Sequence, residues 1–131
     1  MRALGVKLLE HGDEFQTASE FVVNLAPEES LQTVPSYDTL LVAVFATYSL
    51  ELLRAVKDID FAYVPIGLGY GICGMLAARD ALNLRTEIVG VVSAHASSYA
   101  ESFSSGSPVE SPVSTKIADG MDCSVPEESA L

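Results

Sequence analysis

Phe61-Ala62-Tyr63-Val64-Pro65-Ile66-Gly67-Leu68-Gly69-Tyr70-Gly71-Ile72-Cys73-Gly74 is the stretch that decides the fold. Its first six residues form an unbroken apolar run rich in β-branched and aromatic side chains, the pattern of a parallel strand covered on both faces. Gly67, Gly69 and Gly71 then break the run. A helical pattern follows from Gly71 or Ile72 to Leu82, with Met75, Leu76 and Ala78 as core candidates and Asn83 as its close. Strand, glycine turn and helix in that order bring several backbone N–H groups to one point. Glycines let the backbone approach closely and adopt φ > 0. The helix adds its unsatisfied amides and the positive end of its dipole. The turn also lies at the carboxyl end of a strand, where open α/β sheets hold their ligands.

The flanking sequence extends the alternation. Downstream, Glu87 to Val92 reads as a second buried strand and Ala96 to Phe103 as a helix. Upstream, Tyr37-Asp38-Thr39 opens the longest helix, capped by Asp38 or Thr39, with an apolar stripe of Leu41, Val44, Phe45, Tyr48, Leu52 and Val56. Nearer the start, Val6–Leu9 and Leu31–Val34 are short strand candidates. Between them a helix is expected from about Glu14 to Leu25, capped by Asp13, lined by Phe15, Ala18, Phe21, Val22 and Leu25, and ended by Pro27. Strands alternating with helices imply the α/β class: a three-layer α/β/α arrangement with a mostly parallel sheet and right-handed crossovers.

From Ser104 the character changes. Ser, Pro and Val dominate, and Pro108 and Pro112 exclude a regular helix, so a long loop is expected. Pro126 to Leu131 reads as the first turn of a helix. The expected organisation is one partial domain over residues 1–131, with crossover helices in 1–58, the phosphate-loop unit in 59–103 and a loop region in 104–131.

With 131 residues and 49% hydrophobic side chains, the chain can build a core. No apolar run reaches the ~18 residues of a membrane span, and neither a span nor a secretory leader is expected from the pattern. A net charge of −11 argues against nucleic acid, which needs a basic face. A small anionic ligand can still be held by backbone amides, which formal charge does not count. Cys73 and Cys123 lack the spacing of a zinc site or a disulfide framework, so a reduced, cytoplasmic setting is expected.

The glycine turn admits three readings. Gly69-Tyr70-Gly71-Ile72-Cys73-Gly74 fits the dinucleotide pattern G-x-G-x-x-G, whose confirmation is an acid at the end of the next strand. That strand ends Val91-Val92-Ser93-Ala94, and Glu87 lies at its start, so the ribose contact is missing. A tight packing turn without a ligand is the second reading. A cofactor ending in a phosphate is the third.

The residues around the turn resemble a known family. Val64–Gly74 is similar to the Pro-Val-Gly-Gly-Gly-Gly-Leu-Ile-Ala-Gly segment of threonine and serine dehydratases, which are fold type II, tryptophan-synthase-β-like enzymes that use pyridoxal phosphate. Ala3-Leu4-Gly5, His11-Gly12-Asp13-Glu14-Phe15, Pro35-Ser36-Tyr37-Asp38 and Ala46–Leu52 resemble further family stretches upstream. Ile88-Val89-Gly90-Val91 and Ile117-Ala118-Asp119-Gly120 do so downstream. The resemblance implies that Gly67, Leu68, Gly69, Tyr70 and Gly71 cradle the phosphate of pyridoxal 5'-phosphate. It implies an ammonia-lyase that converts threonine or serine to a 2-oxo acid by α-proton loss and β-hydroxyl elimination, with the cofactor ring as electron sink. Family members are commonly oligomeric, which makes a homo-oligomer the expectation.

The resemblance also implies what is lacking. The family's Schiff-base lysine precedes the matched segment, and Lys7, Lys57 and Lys116 have the context of surface lysines. The chain thus resembles an internal slice with no catalytic residue of its own. Tyr70 stands where the family has Gly or Ser, and is expected to crowd the loop or alter its φ. The cation ligands of some relatives align with Val92 and Ser98, which carry no carboxylate, so no metal is expected there. His11, His95 and Asp119 are read as structural or solvated, Asp119 as a turn residue.

Overall fold

The computed structural model describes residues 2–131 as two compact units, one ending at Val34 and one spanning Pro35–Leu131. In the first, a single 3-10 turn at Arg2–Leu4 precedes helix α1, Phe15–Glu28. The strands expected at Val6–Leu9 and Leu31–Val34 are irregular instead. Extended backbone becomes a strand only when a neighbour takes its N–H and C=O groups, and neither segment has such a neighbour among the described residues. Glu14, not Asp13, occupies the N-cap of α1, and it makes no side-chain cap bond. Pro27 does not stop the helix; it lies in the last turn. The stop comes where Ser30 turns to φ 54 and the Leu31 N–H returns to the Ala26 carbonyl at 2.8 Å, a Schellman closure made without glycine.

The second unit carries helix α2 (Thr39–Ala55), strand β1 (Phe61–Pro65), helix α3 (Tyr70–Ala81), strand β2 (Glu87–Val91) and helix α4 (Ser98–Ser105). The α/β class with a parallel sheet is as expected. β1 and β2 pair in parallel from Phe61 opposite Glu87 to Pro65 opposite Val91. The ladder continues at both ends, with Glu87 N–H on the Asp60 carbonyl at 2.8 Å and Ile66 N–H on the Val91 carbonyl at 2.9 Å. Asp38 caps α2 by accepting from the Leu40 N–H at 2.7 Å. Asn83 closes α3 at φ 51, with the Leu84 N–H reaching back to the Arg79 carbonyl at 3.1 Å.

Leu53, Val64, Met75 and Ala78 form the buried core, flanked by Leu50, Ile59, Ile72, Leu82 and Ile88. α2 reaches it by a different face from the one its large apolar residues suggest. Ser49 and Leu53 are buried, whereas Val44, Tyr48, Leu52 and Val56 are exposed. Gly74 explains the rotation. A Cβ there would stand 2.8 Å from the Ala46 nitrogen and 3.1 Å from the Val42 carbonyl oxygen. The α2 backbone therefore lies directly on α3, and close approach selects small residues over large ones. Among the described residues β1 is covered on one face only: Val64 is buried, while Phe61 and Tyr63 are 55% and 71% exposed.

The loop after α4 is held by serines rather than by apolar burial. Ser98 donates to the Cys123 carbonyl at 2.5 Å, and Ser102 accepts from the Val109 N–H at 2.8 Å. Ser111 and Ser97 donate to the two oxygens of Glu101 at 2.5 and 2.6 Å. The expected first turn of a helix at the end of the chain is a 3-10 turn, Glu128–Ala130.

Candidate functional site

β1 delivers the chain to Ile66, and α3 begins at Tyr70, one or two residues earlier than the sequence pattern suggests. The loop proper is therefore Gly67-Leu68-Gly69, with Tyr70 and Gly71 in the first turn of α3. Gly69 is the N-cap at φ 93, ψ −20, the geometry of the third residue of a type II turn, which glycine adopts without strain. A residue with a Cβ is disfavoured there both by φ and by crowding, since the Cβ would meet the Ala130 Cβ at 2.6 Å and the Tyr99 hydroxyl at 3.1 Å.

The donors are backbone amides. Ile66 N–H is taken by Val91, and the first helical bond of α3 is Cys73 N–H to the Gly69 carbonyl at 3.1 Å. Among the described residues, the six N–H groups from Gly67 to Ile72 have no acceptor. An unsatisfied N–H on a buried backbone is costly, and Gly69 is buried. A tetrahedral oxyanion with several acceptor oxygens satisfies such a set, and the dipole of the twelve-residue α3 favours its charge. These residues fit a phosphate.

Tyr70 does not crowd the loop. Its φ is negative, as any helical residue's is, and its ring leans against Phe45 of α2 at 4.4 Å between centroids. The substitution for a smaller residue is absorbed on the flank of the loop.

The structure adds residues that sequence reasoning left out. Tyr99 of α4, 4% exposed, donates its hydroxyl to the Leu68 carbonyl at 2.9 Å and accepts from the Glu127 N–H at 3.1 Å. Burial pushes this phenol well above its ordinary value, so it stays a donor. Gly120 presents its carbonyl to Gly67 so closely that any side chain at 67 would collide with it. Tyr37 donates to the Ser129 carbonyl at 3.4 Å, and desolvation raises its pKa too. The turn at Pro126–Ala130 thus sits beside the loop. One signal for these residues was present: the Ile117-Ala118-Asp119-Gly120 resemblance pointed at Gly120's segment, while nothing marked Tyr99.

The other polar candidates make local contacts or face solvent. Asp119 accepts from the Gly120 N–H at 2.9 Å inside a 3-10 turn, as a turn residue does. His11 stacks on Phe21 at 4.1 Å in the first unit. His95 is exposed, and its carbonyl accepts from the Ser114 N–H at 2.8 Å. Lys7 faces Glu29 at 3.7 Å across an exposed surface pair, and Lys57 and Lys116 are exposed. Cys73 and Cys123 are free thiols. Ser98 is fully buried with its hydroxyl spent on Cys123, and among the described residues no three metal-ligating side chains cluster. No described helix is long and apolar enough to cross a membrane.

A groove of about 470 Å³ lies at the opposite ends of the strands, between Leu53, Lys57, Asp60, Arg85 and Glu87. It is the wrong end for a ligand of a parallel sheet, and its mixed charges select no ion. Glu87 lies there too, paired with Phe61, so the one acid of β2 stands at its start and not at the carboxyl end where a ribose would be held.

The protein family described as pyridoxal-phosphate dependent enzyme matches residues 1–131. The catabolic L-threonine dehydratase of Staphylococcus aureus is 33% identical over 128 residues, which are 97% of this chain and 37% of that protein. A threonine dehydratase of Nicotiana attenuata is 34% identical over 122 residues, 92% of this chain and 20% of that protein. The chain thus spans well under half the length of these relatives. The processed form of threonine deaminase isoform 2 from Solanum lycopersicum superposes with a TM-score of 0.85 at 27% identity, over 98% of this chain and 38% of that one. On the match over its whole length, this chain belongs to the pyridoxal-phosphate-dependent enzyme family.

Proposed function

We propose that Gly67, Leu68, Gly69, Tyr70 and Gly71 hold the phosphate of pyridoxal 5'-phosphate, and that this stretch serves an ammonia-lyase acting on threonine or serine. The observation that carries the first part is the run of six unpartnered N–H groups from Gly67 to Ile72 at the start of α3. The likeness to threonine dehydratases supports the second. When bound, the cofactor supplies an electron sink for loss of the substrate α-proton and β-hydroxyl. The residues of this chain anchor and orient: the amides take the phosphate, αL Gly69 lets them converge, and Tyr99 and Gly120 hold the loop from behind.

Residues 1–131 bind without performing the elimination by themselves. Exposure of Lys57 and Lys116 supports this, and Lys57 lines the groove at the opposite ends of the strands rather than the glycine loop. The lysine would come from sequence outside these residues. A cytoplasmic setting and assembly as a homo-oligomer complete the proposal. The free thiols suit the first, and the exposed stripe of Leu40, Val44, Tyr48 and Leu52 on α2 suits the second.

The test is an amide-resolved titration of the chain with pyridoxal phosphate by heteronuclear NMR. The N–H signals of Gly67 to Ile72 are expected to move first and most. Movement confined to the Lys57–Arg85 groove would reject the assignment.

A further inference from the structure

Tyr99 occupies an unusual place: a buried phenol on a serine-rich helix, spent on two backbone groups and on no side chain. The peptide it bonds is the one between Leu68 and Gly69. There are no cis peptides among the described residues, so the Gly69 N–H points away from the Leu68 carbonyl. Fixing the carbonyl oxygen on Tyr99 therefore fixes the direction of the Gly69 N–H.

The loop needs that restraint. A type II turn differs from a type I turn by a flip of its central peptide, and a glycine at the third position tolerates both signs of φ. Nothing covalent at Gly69 opposes the flip, which would exchange a donor for a carbonyl oxygen facing the phosphate. The Tyr99 hydroxyl lies behind the loop, 3.1 Å from where a Gly69 Cβ would stand, and bonds the Leu68 oxygen at 2.9 Å. It stays a donor because burial raises its pKa. Its second bond, from the Glu127 N–H, holds the hydroxyl in place and ties the loop to the Pro126–Ala130 turn.

We infer that Tyr99 is a positioning residue for phosphate recognition: by holding the Leu68 carbonyl it keeps the Gly69 N–H turned toward the bound phosphate, without touching the ligand itself. The inference rests on the phosphate reading of the loop.

The experiment compares pyridoxal phosphate with pyridoxal, which lacks the phosphate, on the chain itself and on Tyr99→Phe. Affinity for pyridoxal phosphate should fall about 10-fold in Tyr99→Phe, the worth of one hydrogen bond. Affinity for pyridoxal should be unchanged. Ser98→Ala, which removes the neighbouring buried hydroxyl from the Cys123 carbonyl, should lower stability without altering the ratio of the two affinities. Equal loss for both ligands, or the same change of ratio in Ser98→Ala, overturns the positioning role. If Tyr99→Phe does not fold, the unaltered chain decides the matter in a titration with inorganic phosphate. Gly69 must be among the amides that shift, and shifts at Gly67 and Gly71 without Gly69 overturn the inference alone. No shift anywhere in the loop overturns the phosphate reading itself.

Discussion

Replacing Gly69 by Ala tests the seating of the glycine loop, and the structure supplies its own control. Gly69 and Gly106 both have positive φ, 93 and 71. A Cβ at Gly106 meets nothing within 4 Å, whereas one at Gly69 meets Ala130 at 2.6 Å and Tyr99 at 3.1 Å. Gly106→Ala therefore carries the backbone strain alone, about 1–2 kcal/mol. The gain from a stiffer unfolded chain, about 0.4–1 kcal/mol, is common to both variants and cancels between them. Gly69→Ala adds overpacking of about 1–3 kcal/mol. In a unit of this size each kcal/mol lowers Tm by about 4–8 °C, so the two variants should be clearly separated by circular dichroism or urea unfolding. Ala130→Gly in the Gly69→Ala background should return most of the excess, because it removes the methyl that the new Cβ strikes. If the two glycine variants fall within about 0.5 kcal/mol of each other, or if Ala130→Gly rescues nothing, the Glu128–Ala130 turn does not sit on the loop and the reasoning fails.

Two further outcomes follow from the packing. Gly74→Ala drives a methyl into the α2 backbone at Ala46 and Val42, and should cost about 1–3 kcal/mol with a visible change in α2–α3 spacing by crystallography; an unchanged Tm would contradict the close approach. Ser111 and Ser97 hold the Glu101 carboxyl below its ordinary pKa, Ser111 first. Because the folded value is the lower one, this contribution is present above the ordinary carboxylate range and is lost as pH falls through the folded pKa. Amide exchange in the 104–125 loop should thus quicken in acid, and Glu101→Gln should remove most of that acid step.

Much of the fold was legible because local pattern and long-range packing agreed. The apolar run to Ile66, the glycines after it, the Asp38 cap and the Asn83 stop each encode their element within a few residues, and each stands where the pattern puts it. The failures share one cause: they concern partners remote in sequence. Val6–Leu9 alternates and branches like a strand, but strand formation is decided by a neighbour. The large apolar residues of α2 outvoted Ala46 and Ser49 in the pattern, yet Gly74, twenty-eight residues beyond Ala46, makes the small face the buried one.

The site divided along the same line. The glycine loop could be read locally, since φ > 0 and close approach leave a mark in residue type. The start of α3 at Tyr70 could not, because nothing in the sequence shows its ring leaving the loop for Phe45. Tyr99 left no mark either. It lies 31 residues beyond Leu68, in a helix whose serines suggest only a polar surface, and its role emerges from two backbone bonds. The helix pattern over Ala96–Phe103 does not show that Ser98 and Ser102 are buried fasteners of the 104–125 segment.

Titration calorimetry of this chain with pyridoxal phosphate, pyridoxal and a nicotinamide dinucleotide tests the central claim most directly. The unpartnered amides from Gly67 to Ile72 predict that pyridoxal phosphate binds, that pyridoxal binds at least about 10-fold more weakly for want of the phosphate, and that Gly67→Val abolishes the difference through its collision with Gly120. Equal affinity for pyridoxal and its phosphate, or tighter binding of the dinucleotide, would contradict the account.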